Sequence, residues 1–361
     1  MQKIRIAQQY VATAQNNGLK SEYCALTRRK ELTERYELLP AVLRDCHTGL
    51  SLRDIRFYRK AFREAKPDII QIRGAGMESL NAVLAAKLTP KAKILMTVHG
   101  MFSDIVYYSP VKRWIFAHVI EPLIFSLSDG ISCVCEAAAA RDCFRRFRKK
   151  MLPCVYNRMP CYPEKDPEQA ASLRRAFSIP DDAVTGIYVG RITKEKGLSF
   201  LADALQALDD DWPDGLYLLI LGEGEYRPEL ESRCALLRHS AHIIIPGQRD
   251  DVGDCLQACD FFLSPSLHEN LSISILEACA AGLPCLVTDV GGNPEMVQEG
   301  ENGNLIPPAS ADAIAAGLRR FCDPAYRTRL AASAKRKDFS RYSDARVDRQ
   351  LCTVYEKLLS G

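Results

Sequence analysis

Leu216-Tyr217-Leu218-Leu219-Ile220-Leu221 runs directly into Gly222-Glu223-Gly224. Six largely apolar residues without a polar alternation describe a strand covered on both faces, as in a parallel sheet. The glycine pair at its carboxyl end permits a tight turn and a close backbone approach. Around it the same rhythm repeats. Strands are expected at 185–189, 243–245, 260–263, 285–288 and 304–306, with helices at 197–208, 226–239, 251–258 and 271–281. Upstream, strands at 4–7, 38–43, 68–72, 93–98 and 130–134 alternate with helices at 19–35, 51–65, 77–88, 110–127 and 136–147. Between the two series, residues 157–170 hold Pro160, Pro163 and Pro167, which suit neither a helix interior nor a central strand, so the stretch reads as a linker. Two α/β lobes in tandem follow, at residues 1–160 and 161–340. A terminal helix within 341–361 is expected to pack back toward the first lobe. Ligands in such sheets bind at the carboxyl ends of the strands, and a cleft between lobes is the expected site.

The 361 residues are enough for about two domains. Apolar content of 47% and charged content of 26% exclude a disordered or fibrous chain. The formal charge of +3 conceals a split. Residues 1–160 carry 27 basic and 14 acidic side chains, net +13, and the remainder 21 and 31, net −10. Fourteen cysteines occur without a Cys-x-x-Cys pair, and several lie inside apolar runs, so packed thiols in a reducing cytosol are expected. The start, MQKIRIAQQY, reads as a strand and not as a signal peptide. No stretch of about 18 uncharged apolar residues suggests a membrane span.

Four segments after residue 185 carry chemistry. In Val189-Gly190-Arg191-Ile192-Thr193-Lys194-Glu195-Lys196-Gly197, two cations precede a helix start, which suits an anion. The plainer reading is a solvated charged turn. In His268-Glu269-Asn270-Leu271-Ser272-Ile273-Ser274-Ile275-Leu276-Glu277, a helix beginning near Leu271 would put Glu269 and Glu277 on a similar side. Amides at its start would meet an anion, and the carboxylates would accept sugar or ribose hydroxyls. Gly282-Leu283-Pro284 and Asp289-Val290-Gly291-Gly292-Asn293-Pro294-Glu295 read first as turns and a structural carboxylate. Gly222-Glu223-Gly224 adds a close backbone approach.

Taken together these residues resemble the large family of retaining glycosyltransferases with the GT-B fold, family 4. The resemblance is carried by Pro265-Ser266-x-x-Glu269, Glu277-Ala278, Gly282-Leu283-Pro284, Asp289-Val290-Gly291-Gly292, Glu295 and Asn302-Gly303. Upstream, Gly190-Arg191, Lys196-Gly197, Gly222-Glu223-Gly224 and Gly247-Gln248-Arg249-Asp250-Asp251-Val252 stand in the family's order and spacing. It is close over about residues 185–308. In the first lobe it is looser, resting on Thr97-Val98-His99-Gly100 and Asn157. It implies an α/β chain of two Rossmann-like lobes with parallel sheets facing an interlobe cleft. It also implies transfer of a sugar from a nucleotide sugar, a UDP-sugar, to a glycan acceptor with retention.

By the resemblance, Arg191 and Lys196 bind the diphosphate and stabilise the leaving group. Glu277 holds the ribose hydroxyls. Glu269, with the amides of Asn270, Leu271 and Ser272, holds donor sugar and phosphate, and His99 reaches the donor sugar. Gly18, Gly190, Gly222 and Arg249 complete the donor set. No metal and no separate cofactor are implied, since two cations and helix amides can neutralise the departing charge. The family's glycine-rich loop after the first strand is reduced here to Gln15-Asn16-Asn17-Gly18-Leu19-Lys20. Arg158 follows Asn157 where the family often has glycine.

In this architecture the basic half faces the acceptor. Its charges include Arg53, Arg56, Arg59, Lys60 and Arg63 on one helix, the basic, aromatic segment Lys112-Arg113-Trp114-Ile115-Phe116, and the 141–150 run interleaved with Phe144 and Phe147. Basic clusters with exposed aromatics suit an anionic inner leaflet. A lipid-linked glycan acceptor, in bacterial surface polysaccharide or lipopolysaccharide synthesis, is therefore expected. The enzyme itself would be cytoplasmic and peripheral on the membrane's inner face. No nucleic-acid motif is present. The alternatives are an enzyme like UDP-N-acetylglucosamine 2-epimerase, which would need its own acid and base, and a non-catalytic nucleotide-sugar scaffold.

Overall fold

The computed structural model describes residues 3–11, 35–39, 42–44, 49–89, 91–105 and 108–361. The helix expected at 19–35 lies outside these residues except for its last position. By residue contacts the chain divides into two units, Met1–Asn157 with Ser343–Gly361, and Arg158–Tyr342.

The first unit holds β1 (Ile4–Val11), β2 (Tyr36–Leu38), β3 (Val42–Arg44), α1 (Leu52–Ala65), β4 (Ile69–Arg73), α2 (Met77–Lys87), β5 (Lys93–Val98), α3 (Pro110–Ile115), a π turn (Phe116–Ile120), α4 (Glu121–Leu127), β6 (Gly130–Cys133), α5 (Glu136–Ala139) and the terminal α14 (Asp344–Ser360). Its sheet runs β2-β1-β4-β5-β6, with β3 also on β1, and every pairing is parallel. β4 and β5 are buried almost throughout, as their unbroken apolar runs require. The single strand expected at 38–43 is two short strands, β2 and β3.

α14 turns Val347, Leu351, Val354, Tyr355 and Leu358 inward, a helical stripe. This stripe packs with Ile6, Tyr36, Ile69 and Leu95 of the sheet. A buried polar chain crosses the same strands. The Gln8 amide donates to Gln71 Oε1 (2.9 Å), the Gln71 amide to Thr97 Oγ1 (2.9 Å), and Tyr355 OH to Gln71 Oε1 (2.8 Å). Each buried polar group thereby has a partner, which is what keeps such a chain affordable in a core.

One expected helix is wrong in kind. Residues 136–147 form the single-turn α5 and then a 3₁₀ stretch, Asp142–Lys150. Arg141 breaks the α-helix with extended backbone (ψ 145°) while its guanidinium grips Asp104 in a two-pronged ion pair at 2.5 Å. Three-residue turns then align Phe144, Phe147 and Lys150. Both rings are buried beside Phe125, and the Lys150 ammonium donates to the carbonyls of Phe125, Ser126 and Ser128. Phe144 and Phe147 are therefore not the exposed aromatics expected of a membrane-facing run.

The second unit holds α6 (Pro167–Ala176), β7 (Val184–Val189), α7 (Leu198–Leu208), β8 (Leu216–Leu221), α8 (Arg227–Ala235), β9 (Ile243–Gly247), α9 (Val252–Gln257), β10 (Phe261–Ser264), α10 (Ile273–Ala280), β11 (Cys285–Thr288), α11 (Asn293–Met296), β12 (Gly303–Ile306), α12 (Ala311–Cys322) and α13 (Pro324–Ala334). The sheet order is β12-β11-β10-β7-β8-β9, again all parallel. Strand order reverses about β7, the switch point at which doubly wound sheets open a ligand crevice. The proline-rich stretch ends earlier than expected, because Pro167 occupies the first turn of α6. Asp166 caps that helix, accepting from the Glu168 and Gln169 amides. The described cysteines are free thiols, most of them buried. Among the described residues no helix is long and apolar enough to cross a membrane.

Tyr355 offers a test of the α14 docking. Tyr355→Ala should cost about 3–5 kcal/mol through lost burial. Tyr355→Phe should cost about 1 kcal/mol through the lost hydrogen bond to Gln71. Urea unfolding of the two variants reads both, and equal, negligible losses would contradict the packing described.

Candidate active site

The predicted donor residues of the second unit sit where β7, β8, β9, β10 and β11 deliver their chains at the carboxyl edge. The turn after β7 and the turn after β8 are sewn together. Gly190 N–H donates to Leu221 O (3.0 Å), Ile192 N–H to Glu223 O (2.8 Å) and Tyr226 N–H to Ile192 O (3.0 Å). Gly222 N–H reaches Gly247 O at 2.9 Å, drawing in the end of β9. Tyr188 OH, buried beneath this turn, donates to Arg191 O at 2.7 Å. Burial, and then the charge of Glu269, push the Tyr188 phenol up, which keeps it a donor.

Two glycines let the remaining loops meet. Gly197 has φ +70°, and a Cβ there would lie 1.9 Å from Pro265 O. Gly291 has φ +52°, and a Cβ there would lie 1.8 Å from Glu269 O. Neither position accepts a side chain without moving backbone. Leu267 N–H donates to Glu195 O (2.9 Å) and Gly292 N–H to Asn270 O (2.7 Å), so the loop after β10 is held from both sides.

That clamp brings two predicted residues, 73 positions apart, into contact. Lys196 Nζ lies 2.6 Å from Glu269 Oε1 in a largely buried ion pair. Ser266 Oγ donates to the same oxygen at 2.9 Å, and Thr288 Oγ1 donates to Ser266 O at 2.6 Å. Arg191 is more exposed and pairs with Glu195. Arg249 is held by Asp251 through Nε (2.7 Å) and Nη2 (2.6 Å), with its guanidinium over the Phe177 ring. This pairing raises the arginine and holds Asp251 below the usual carboxylate range.

The helix carrying Glu277 begins at Ile273, two residues later than expected, with Ser272 as its cap. Glu269 is therefore a loop residue, and its position comes from Lys196 and Ser266, not from helical phase. Asn270, Leu271 and Ser272 are buried at that helix start. Glu277 has no charged group drawing its proton off. Burial alone pushes its carboxyl up to about 7. A half-buried carboxyl without an ion pair among the described residues can accept hydroxyl donors from a ligand.

Several contributors were given no role from sequence. Tyr188, Glu195, Ser266 and Thr288 position the predicted groups. Tyr162, in the proline-rich stretch, packs where a Cβ on Gly253 would fall and senses the Glu277 charge. The Ser266 and Thr288 hydroxyls at strand ends were a visible signal. Tyr162 left none, because its partner is 91 positions away. Glu295, in the first turn of α11, has its carbonyl bound by Tyr342 OH (3.0 Å). His99 belongs to the first unit, half-buried just after β5. Gly18 lies outside the described residues. Among the described residues no cluster of three histidine, cysteine or acidic side chains could hold a metal ion.

Two parallel doubly wound sheets with a cation and acid-lined edge define the GT-B class of two-lobed transferase folds. The family described as "Glycosyl transferases group 1" matches residues 170–338, and that described as "Glycosyltransferase Family 4" matches residues 8–154. The chain belongs to this family. A galactosyltransferase of Escherichia coli, named as acting from UDP-Gal on α-D-GlcNAc-diphosphoundecaprenol, is 28% identical over 316 residues, 85% of this chain and 80% of its own. An uncharacterized glycosyltransferase of Methanocaldococcus jannaschii is 30% identical over 192 residues, 52% of this chain. The match spans about half, 49%, of that archaeal protein's length. HepE of Anabaena, solved with UDP and glucose, superposes with a TM-score of 0.79 at 18% identity, covering 99% of this chain and 100% of its own. That likeness concerns the fold alone.

The raised Glu277 carboxyl has a measurable consequence. Its ionised form is disfavoured in the folded state, so the native stability it permits is complete below the usual 4.5 and falls as pH rises toward about 7. Glu277→Gln should match the wild type near pH 4 and be more stable by up to about 3 kcal/mol at pH 8. Thermal melts across that range read the difference, and a constant offset would contradict the burial assigned to Glu277.

Proposed function

We propose that the chain is a retaining, metal-independent glycosyltransferase. It moves a sugar from a UDP-sugar to a lipid-linked glycan during bacterial surface polysaccharide or lipopolysaccharide assembly. The observation that carries the reading is the Lys196–Glu269 pair together with the half-buried Glu277, which has no ion pair among the described residues, at the sheet edge where phosphates and sugars bind in this fold class. On donor binding, the Lys196 ammonium exchanges Glu269 for a diphosphate oxygen, and Arg191 gives the guanidinium fork that suits phosphate. As the bond between the sugar's anomeric carbon and the phosphate oxygen breaks, negative charge grows on that oxygen. Two cations and the amides at the start of α10 are aimed at it before the reaction begins.

Glu277 accepts the ribose hydroxyls. Glu269, released from Lys196, accepts hydroxyls of the donor sugar, with the Asn270, Leu271 and Ser272 amides nearby. Arg249 borders the same edge through the loop after β9. His99, at the carboxyl end of β5, is the first unit's candidate for the donor sugar, and Gly18 for a close backbone approach. No metal is required in this scheme. The E. coli relative's name supports a UDP donor and a lipid diphosphate acceptor. The net +13 of residues 1–160 supports an acceptor at an anionic surface, with the enzyme peripheral on the cytoplasmic face.

Lys196→Ala and Glu277→Ala should each lower turnover at least about a hundredfold, roughly 2.7 kcal/mol of barrier. UDP release from a panel of UDP-sugars, with and without EDTA, measures this. Near-normal rates in both variants would sink the site assignment, and loss of activity with EDTA would sink metal independence. Transfer with inversion, read from the product's anomeric proton signal, would overturn the retaining assignment.

A further inference from the structure

Among the described residues, eleven large apolar side chains are exposed, and only Leu236 and Ile273 belong to the second unit. Five of the others fall on one continuous helical run, residues 110–127: Val111 (69% exposed), Trp114 (56%), Ile115 (40%), Val119 (47%) and Leu123 (41%). The opposite side of that run is already satisfied. Phe116, Glu121, Ile124 and Phe125 are buried, with Phe116 stacked against Phe102 and Tyr108. The helical run is thus apolar on two sides, and an apolar stripe that the protein's own core does not need marks an interaction surface.

The π turn keeps the stripe straight. Four-residue steps from 111 to 123 overshoot a 3.6-residue turn, so in an ideal α-helix the apolar positions would wind away. The wider turn at Phe116–Ile120 takes up the excess, and such turns mark functional sites in helices. Trp114 is stacked on His118 (4.9 Å), which leaves the indole at the exposed side with a polar neighbour. Lys112 and Arg113 flank the stripe.

The charge around it specifies the partner. α2 packs against both α1 and α4, so the three helices form one layer of the first unit. In that layer α1 exposes Arg53, Arg56, Arg59, Lys60 and Arg63, with Phe57 exposed between them. A protein partner of opposite charge would account for the basic stripe alone. An aromatic and aliphatic ridge in the same helix layer as a basic row fits the boundary of an anionic bilayer, where rings sit among headgroups and cations meet lipid phosphates.

Resting on the lipid-linked acceptor reading above, we propose that the 110–127 helical run docks the first unit on an anionic lipid surface, with Val111, Trp114, Ile115, Val119 and Leu123 entering the headgroup boundary and the α1 basic stripe holding the phosphates. Trp114 and Trp212 are the two tryptophans of the chain. Trp212 is tied to Leu216 O in the other unit. A Trp212→Phe background therefore makes fluorescence a report on Trp114.

The test uses the full chain and vesicles of phosphatidylcholine with or without phosphatidylglycerol. In the Trp212→Phe background, the anionic vesicles should bind the protein at low salt and blue-shift the emission, and pure phosphatidylcholine should do so far more weakly. Trp114→Glu with Ile115→Glu, in the wild-type background, should lower sedimentation with anionic vesicles at least about tenfold. Its melting temperature and UDP release from donor alone should stay unchanged. Arg56→Glu with Lys60→Glu should shift binding to lower salt. Absence of vesicle binding, or full binding by the Trp114/Ile115 variant, overturns the docking. Concentration-dependent self-association abolished by that variant, without vesicle binding, assigns the stripe to a second copy and also overturns it. Vesicle binding combined with transfer to soluble acceptors only would leave the docking standing and overturn the lipid-linked acceptor reading.

Discussion

In the second unit, loops from parallel strands pass so near one another that several positions have no room for a Cβ, two of them against the loop after β10. Gly197 faces Pro265 O and Gly291 faces Glu269 O, each at under 2 Å from where a side chain would begin. Parallel connections deliver every crossover loop to the same edge, so this crowding is a consequence of topology. The rest of the site depends on it. Only because the loop after β10 is clamped between the turns after β7 and β11 does Glu269 meet Lys196. Ser266 Oγ then donates to Glu269, and Thr288 Oγ1 ties the loop to β11.

The two glutamates of the motif, eight positions apart, end in different electrostatic environments. Glu269 is neutralised by an ammonium and a hydroxyl. Glu277 is neutralised by nothing and is pushed toward its protonated form by burial. The net −10 is spread over surface helices and is screened by salt. The candidate cations at the sheet edge are few and local, Lys196 half-buried and Arg191 exposed. In the first unit the balance is reversed. Part of its basic charge is an exposed row on α1, in the same helix layer as exposed apolar side chains.

Much of the fold was readable from apolar runs. Strands such as Leu216–Leu221 and Lys93–Val98 need no tertiary information, because a fully buried parallel strand has no polar alternation to confuse it. The family motif was likewise legible as spacing. The misreadings have physical causes. Phe144 and Phe147 fit a helix face as well as a three-residue turn, and the extended backbone at Arg141 follows from Asp104, 37 positions upstream. Helical phase was used to relate Glu269 to Glu277, yet α10 starts too late for it to apply. Of the aromatics expected at the surface beside basic residues, Phe116, Phe144 and Phe147 are buried and Trp114 is exposed.

By itself the sequence determined the α/β alternation, the order of motifs and the choice of Arg191, Lys196, Glu269 and Glu277 as candidates. These depend on local periodicity and on residue chemistry. Tertiary structure decided which of them touch, which carboxylate stays unpaired, and which apolar side chains of the first unit remain outside its core. Those outcomes depend on distances between segments tens of residues apart and on the water excluded between them, and a one-dimensional pattern encodes neither.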